Sequence, residues 1–180
     1  MTNSIQLTQG EVTLKHLTLD VTTTLYSIVE KHRDELGKWL PFVAFMQNVL
    51  DAEEYIQQLI DLTYDGSTEV FSVFHHSEWV GMVVLKDMDW YTQKTELGYW
   101  IHPEFQNRGI ATTALKLVIE YCFEELSMHR LQIKVATGNK PSLALVRKFP
   151  FKQEGVERDS EKVNNQFFDL AVFGCLKSDY

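Results

Sequence analysis

The stretch Glu96-Leu-Gly-Tyr-Trp-Ile-His-Pro-Glu-Phe-Gln-Asn-Arg-Gly-Ile-Ala-Thr-Thr113 constrains the fold of this chain more than any other. Lys94 to Ile101 reads as an apolar strand, Pro103 stops it, and a short polar loop leads to Gly109. A long helix follows to about Leu126, with Ile110, Ala114, Leu117, Val118 and Tyr121 on one apolar face. Leu131 to Ala136 reads as the next strand. A strand–helix–strand run of this kind implies one parallel strand pair. It also places a helix N-terminus at the end of a loop. The first turn of a helix carries backbone N–H groups with no partner inside the helix. The junction therefore suits an anion, with a phosphate-bearing ligand as its natural occupant. A glycine at such a place serves a plain turn equally well.

Around this unit the chain reads as hairpins and shorter helices. Ile5 to Leu14 alternates apolar and polar, as one short or bent strand does. Val21 to His32 has Leu25, Ile28 and Val29 at helical spacing, and Leu36 to Phe42 is an aromatic loop broken by Gly37 and Pro41. A second helix starts at Asp51, which forms a capping-box-like pair with Glu54. Strands are expected at Glu69 to His75 and Trp79 to Lys86, joined by a polar connection. A short helix over Pro141 to Lys148 follows, then strands at Phe151 to Arg158 and Gln166 to Leu176 around a polar turn, Asp159 to Asn165. The product is an α/β (α+β) domain spanning residues 1–180. Its sheet is mixed and mostly antiparallel, of about six to seven strands, with helices on both faces.

Composition serves to exclude. A net charge of −8 argues against direct nucleic-acid binding, which uses a basic surface, and is compatible with a cationic acceptor. No apolar run approaches the roughly 20 residues of a membrane span. Met1 to Gly10 is polar and unlike a signal peptide, so the expected location is cytoplasmic. Cys122 and Cys175 are far apart in apolar surroundings and read as packing residues of a reducing compartment. No Cys/His cluster has zinc-ligand spacing, and His75 and His76, adjacent at a strand end, are expected to face opposite ways. No metal is expected.

The loop also excludes two common phosphate sites. No Gly-Lys-Ser/Thr closes it, as a P-loop requires, and a dinucleotide fingerprint needs three spaced glycines where this loop has one. Gln106-Asn-Arg-Gly-Ile-Ala111 instead resembles the Gln/Arg-x-x-Gly-x-Gly/Ala pyrophosphate loop of the GNAT N-acetyltransferases. Glu96-Leu-Gly-Tyr-Trp-Ile101 is similar to that family's fourth strand, and Asn139-Lys-Pro-Ser142 to the Asn-x-x-Ser of its following strand and helix. Trp39-Leu-Pro-Phe42 resembles the substrate-side loop of the RimJ/RimL branch, and Gly155 to Asp169 its last hairpin. The ordered motifs cover essentially the whole chain. They imply a GNAT fold and an acetyl-CoA-dependent N-acetyltransferase. The implied acceptor is a primary amine, foremost the N-terminal α-amino group of a protein such as a ribosomal protein. Two other readings stay open: a small amine acceptor (a polyamine or amine antibiotic), and a non-catalytic acyl-CoA-binding module. Homodimers in which a second subunit completes the acceptor groove occur among relatives.

The resemblance assigns roles residue by residue. The cofactor loop would be Gln106-Asn107-Arg108-Gly109-Ile110-Ala111, with the pyrophosphate on the backbone N–H groups of Arg108 to Ala111. Thr112 either adds a hydroxyl to a phosphate or is a solvated first-turn residue. Arg108 either neutralises phosphate or is a surface charge. Tyr99, Trp100 and Ile101 would lie beside the pantetheine arm and thioester. Asn139 would hold the pantetheine or simply cap its helix, and Ser142 would protonate the departing thiolate or be an ordinary first-turn serine. Glu96, on the same strand, is the candidate base, with a strand-edge carboxylate as the alternative. Trp39 and Phe42 line the acceptor groove or fill the core. One departure stands out. Relatives commonly end the helix after Asn-x-x-Ser with Leu-Gly-Phe, where this chain has Phe149-Pro150-Phe151, so its helix must end differently, with Lys148-Phe149 pushed towards extended geometry.

Overall fold

A computed structural model of the chain describes residues 5–180; Met1 to Ser4, the start of the segment read for a leader, lie outside the described residues. The alternation of the N-terminal segment conceals a turn. Gly10 adopts φ +58, a left-handed conformation glycine reaches without strain, and the chain folds back as β1 (Gln6–Gln9) and β2 (Val12–His16). The one bent strand expected there is two. The sheet consequently has eight strands among the described residues, not six to seven.

The helices α1 (Thr22–Lys31), α2 (Arg33–Leu36) and α3 (Val49–Asp61) come next. The start of α3 corrects the expected cap. Asn48, not Asp51, is the capping residue: its side chain accepts from the N–H groups of Leu50 (2.8 Å) and Asp51 (3.2 Å). Asp51 reaches back to the Asn48 N–H at 3.1 Å, so the capping box begins three residues earlier than expected. The chain continues through β3 (Glu69–His75), β4 (Glu78–Asp89), β5 (Lys94–Ile101), α4 (Ile110–Glu120), β6 (Arg130–Ala136), α5 (Lys140–Val146), β7 (Lys152–Val163) and β8 (Gln166–Leu176). The polar segment read as a turn at Asp159 to Asn165 is mostly strand. It shares a ladder with β8 as far as Val163, and the reversal is made by Asn164 and Asn165, both with positive φ.

Sheet order is β1-β2-β3-β4-β5-β6-β8-β7, antiparallel throughout except for the expected parallel pair β5·β6. Strand alternation divides the core into two layers. Phe71, Val73, Val83, Leu85, Leu97 and Ile101 pack against α4 and α5, whereas Val70, Met82 and Trp100 pack against α1 and α3. Helices thus cover both faces. Cys122 and Cys175 are free and buried, and burial raises both thiols above their ordinary range, in keeping with packing roles. No helix of the described residues is long and apolar enough to cross a membrane.

Two local expectations need correction. α5 ends without a left-handed residue. Lys148 and Phe149 lie in a turn, closed by N–H bonds to the carbonyls of Leu145 (3.0 Å) and Val146 (3.1 Å), so Lys148-Phe149 is not extended. His75 and His76 also do not face opposite ways. His76 leaves the strand with φ +55, and its ring comes back to 4.5 Å from that of His75.

Candidate active site

The central feature is a break in the sheet. β5 pairs with β4 as far as Ile101, and β6 pairs with β8 as far as Ala136. Between β5 and β6, pairing stops at Glu96↔Gln132. Beyond that point the strands diverge, and among the described residues no strand lies beside one edge of β5 from Gly98 onward. Strand backbone left unpaired in this way offers N–H and C=O groups to an extended ligand.

The end of β5 is held firmly. His102 Nδ1 accepts from the Glu104 N–H at 3.0 Å, and Gln106 Nε2 donates to the Ile101 carbonyl at 3.1 Å. Burial keeps His102 below the usual imidazole range, which suits a ring nitrogen acting as an acceptor. Asn107 (φ +60) and Gly109 (φ +81) both take left-handed conformations, and α4 begins at Ile110. The first helical bond runs from Thr113 N–H to the Gly109 carbonyl at 3.0 Å. Among the described residues no side chain caps this end. The N–H groups of Ile110, Ala111 and Thr112 therefore remain for an anion, reinforced by the helix dipole. A side-chain carbon at Gly109 would meet nothing within 4 Å, so the space before the helix is open. The Ile110 side chain is buried, so only its backbone serves the site. Arg108 is exposed, with its guanidinium 4.9 Å over the Phe105 ring.

Opposite this loop, across the break, lies the start of α5. Asn139 Oδ1 accepts from the Ser142 N–H at 3.2 Å, so Asn139 is the helix cap. That bond uses the Ser142 backbone and frees its hydroxyl. Ser142 Oγ lies 2.7 Å from the Tyr99 phenol oxygen, and this pair spans the gap between α5 and β5. Burial pushes the Tyr99 hydroxyl up to about 12, with the Ser142 hydrogen bond opposing, so it remains a protonated donor at neutral pH. The sequence shows no tyrosine between Tyr121 and Tyr180, yet one reaches this site from β5, 43 residues away.

Glu96 is placed differently. It shares a sheet face with Trp100, away from the Tyr99 side chain. Its carboxylate pairs with Lys86 (2.7 Å) and Lys134 (3.7 Å) and accepts from Gln132 at 3.3 Å. The carboxylate is thus tied into ion pairs across the sheet. A second carboxylate lies close by. Glu161 of β7 is raised above the ordinary carboxyl range, chiefly by burial, with Lys86 lowering and Glu96 raising it. Sequence reasoning missed Glu161 because it falls in a polar run that reads as a turn.

On the same face, Trp39 lies 5.8 Å from Phe168, and a side-chain carbon at Gly138 would lie 3.4 Å from the Trp39 ring. The aromatic loop thus touches the segment that carries Asn139. Phe42 stacks on Tyr55 at 4.6 Å and approaches Trp100 at 6.1 Å. Both residues are half-buried. A cleft of about 650 Å³ opens beside Trp39 and Phe168, with Arg33, Asp34, Gln47 and Asn164 on its walls.

Residues 11–152 match the model of the acetyltransferase (GNAT) domain. The chain is 33% identical to YdaF of Bacillus subtilis (strain 168), a provisional ribosomal N-acetyltransferase, over 87% of this chain and 86% of that one. It is 31% identical to spermidine N(1)-acetyltransferase of Escherichia coli (strain K12) over 63% of this chain and 60% of that one. Among solved structures, RimL, a ribosomal alpha-N-protein acetyltransferase in complex with coenzyme A, superposes with a TM-score of 0.90. It covers 96% of this chain and 98% of its own at 20% identity, a likeness of fold.

Proposed function

Because this chain belongs to the GNAT acetyltransferase family, we propose that it transfers the acetyl group of acetyl-CoA to the N-terminal α-amino group of a protein, ribosomal proteins foremost. The observation that carries this reading is the break between β5 and β6, with free helix N–H groups at one end and the Tyr99–Ser142 pair across it. The donor set fits acetyl-CoA. The N–H groups of Ile110, Ala111 and Thr112 would hold the pyrophosphate, with Arg108 as counter-charge. The open edge of β5 at Gly98 to Ile101 would pair with the pantetheine arm.

The amine nitrogen forms a bond to the thioester carbon, and the C–S bond breaks. Ser142 gives its hydroxyl proton to the departing sulfur and takes one back from water as the nitrogen loses its proton to become the amide, and Tyr99 orients that hydroxyl. The amine must shed a proton. An α-amino group has a pKa near 8, so about a tenth is already neutral at pH 7, and a base contributes only about tenfold. The half-buried Glu161, its carboxyl raised by burial, is the candidate base, acting through water, and Glu96 serves to hold Lys86 and Lys134. Glu161→Gln should then lower kcat/KM about tenfold at pH 7 and flatten the acid limb of its pH profile.

The same substitution should raise the melting temperature at neutral pH. A carboxyl with a folded pKa above its unfolded value contributes stability at low pH, which is lost as pH rises through the folded pKa. Glutamine removes that loss. Calorimetry at pH 4 and pH 7 checks it: the stabilising effect appears only at the higher pH.

A polyamine acceptor is the second reading, carried by the spermidine-acetylating relative and by the acidic Asp51 and Glu54 of a smaller cleft beside Phe42. Rates on N-terminal peptides and on spermidine separate the two. Preference for peptides is expected, and preference for spermidine overturns the protein-acceptor reading.

A further inference from the structure

Away from the break, the hairpin tip that joins β3 to β4 brings two imidazoles and a carboxylate together. The ligating atoms of Glu11, His75 and His76 all lie within 4.8 Å of one another. The Nε2 atoms of His75 and His76 stand 3.3 and 3.5 Å from the two carboxylate oxygens of Glu11. We propose that Glu11, His75 and His76 form a surface site for a divalent transition metal of the zinc class.

Three observations support it. The first is spacing. The three donor atoms already lie within 4.8 Å of one another, and tetrahedral zinc with bonds of about 2.0–2.1 Å holds its ligand atoms about 3.3–3.5 Å apart, so small side-chain rotations bring the set onto an ion. The second is preorganisation by backbone. The His76 N–H donates to the Glu11 carbonyl at 2.7 Å, and Val12 pairs with His75 in the sheet, so all three residues are anchored before any ion arrives. The third is the turn itself. His76 holds φ +55, uncommon for a non-glycine residue, and that conformation turns its ring towards His75. The donor chemistry selects the ion: imidazole nitrogens suit zinc, nickel and copper, whereas magnesium and calcium prefer all-oxygen sites. His75 is partly buried and Glu11 and His76 are exposed, so the site is open to solvent, which supplies the remaining ligand.

The site also abuts the phosphate loop. The His75 ring lies 6.0 Å from Phe105, and Phe105 carries the Arg108 guanidinium on its face. A bound ion would stiffen the hairpin that supports this stack.

Titration of the untagged, chelator-stripped full chain with zinc at neutral pH, followed by calorimetry, tests the proposal. One equivalent should bind, with no heat from magnesium. His75→Ala, Glu11→Gln and His76→Asn should each weaken zinc binding by at least about tenfold. Asparagine tolerates the left-handed turn, so His76→Asn removes the ligand and keeps the backbone. Unchanged circular dichroism and thermal unfolding confirm folded variants. No zinc binding by the parent chain, or binding that survives both histidine substitutions, overturns the proposal; the second result would place the ion elsewhere.

Discussion

Replacing Ser142 with alanine is expected to slow turnover about a hundredfold while acetyl-CoA still binds. The expectation follows from a division of labour within one residue. The Ser142 N–H caps α5 through Asn139, and alanine keeps that N–H. Only the hydroxyl is lost, and it is the hydroxyl that meets Tyr99 at 2.7 Å across the break in the sheet. Folding should therefore be nearly unaffected, and the loss should appear in kcat rather than in KM for acetyl-CoA. Tyr99→Phe leaves the serine in place but removes its orienting partner, so a smaller loss is expected. If Ser142→Ala turns over at the parent rate, the proton reaches the sulfur by another route. If it instead loses acetyl-CoA affinity, Ser142 binds rather than donates.

The second large effect belongs to Gly109. Gly109→Val should weaken acetyl-CoA binding by about ten- to a hundredfold, the loss of one hydrogen bond to a charged group at roughly 1.5–3 kcal/mol. Two causes act together. Valine fits poorly at φ +81, a left-handed conformation that costs a side-chain-bearing residue about 1–2 kcal/mol. Its branched side chain would also occupy the open space before the helix, where a phosphate would sit. Because that space is empty of protein, the fold should survive. Ile110, buried next door, keeps the helix start in register. Calorimetry with coenzyme A measures the change, and thermal unfolding confirms a native fold. Unchanged affinity would separate the helix N-terminus from the phosphate.

Local signals are legible where one cause dominates. Lys94 to Ile101 was bounded correctly because Pro103 interrupts an apolar strand, and Gly109 marked the helix start because few other residues fit there. The parallel pair β5·β6 followed from that order. Features that depend on distant contact were not legible. The Gly10 hairpin is concealed because apolar–polar alternation continues through the turn. The cap at Asn48 was missed because Asp51 and Glu54 offer the same spacing three residues later. Tyr99 was assigned to the cofactor strand, but its meeting with Ser142 depends on how far β5 and β6 diverge. Glu161 looked like turn composition because an exposed strand near a hairpin end is polar on both faces. His75 and His76 were expected to diverge, and a single positive φ brings them together.

The most direct measurement pairs two products in one reaction. The protein is incubated with acetyl-CoA and a peptide with a free N-terminus, free thiol is followed by colorimetry, and the peptide is sequenced by mass spectrometry. Thiol release matched one for one by acetyl on the α-amino group is the predicted result. Acetyl-CoA that binds but releases no thiol with any amine would contradict it.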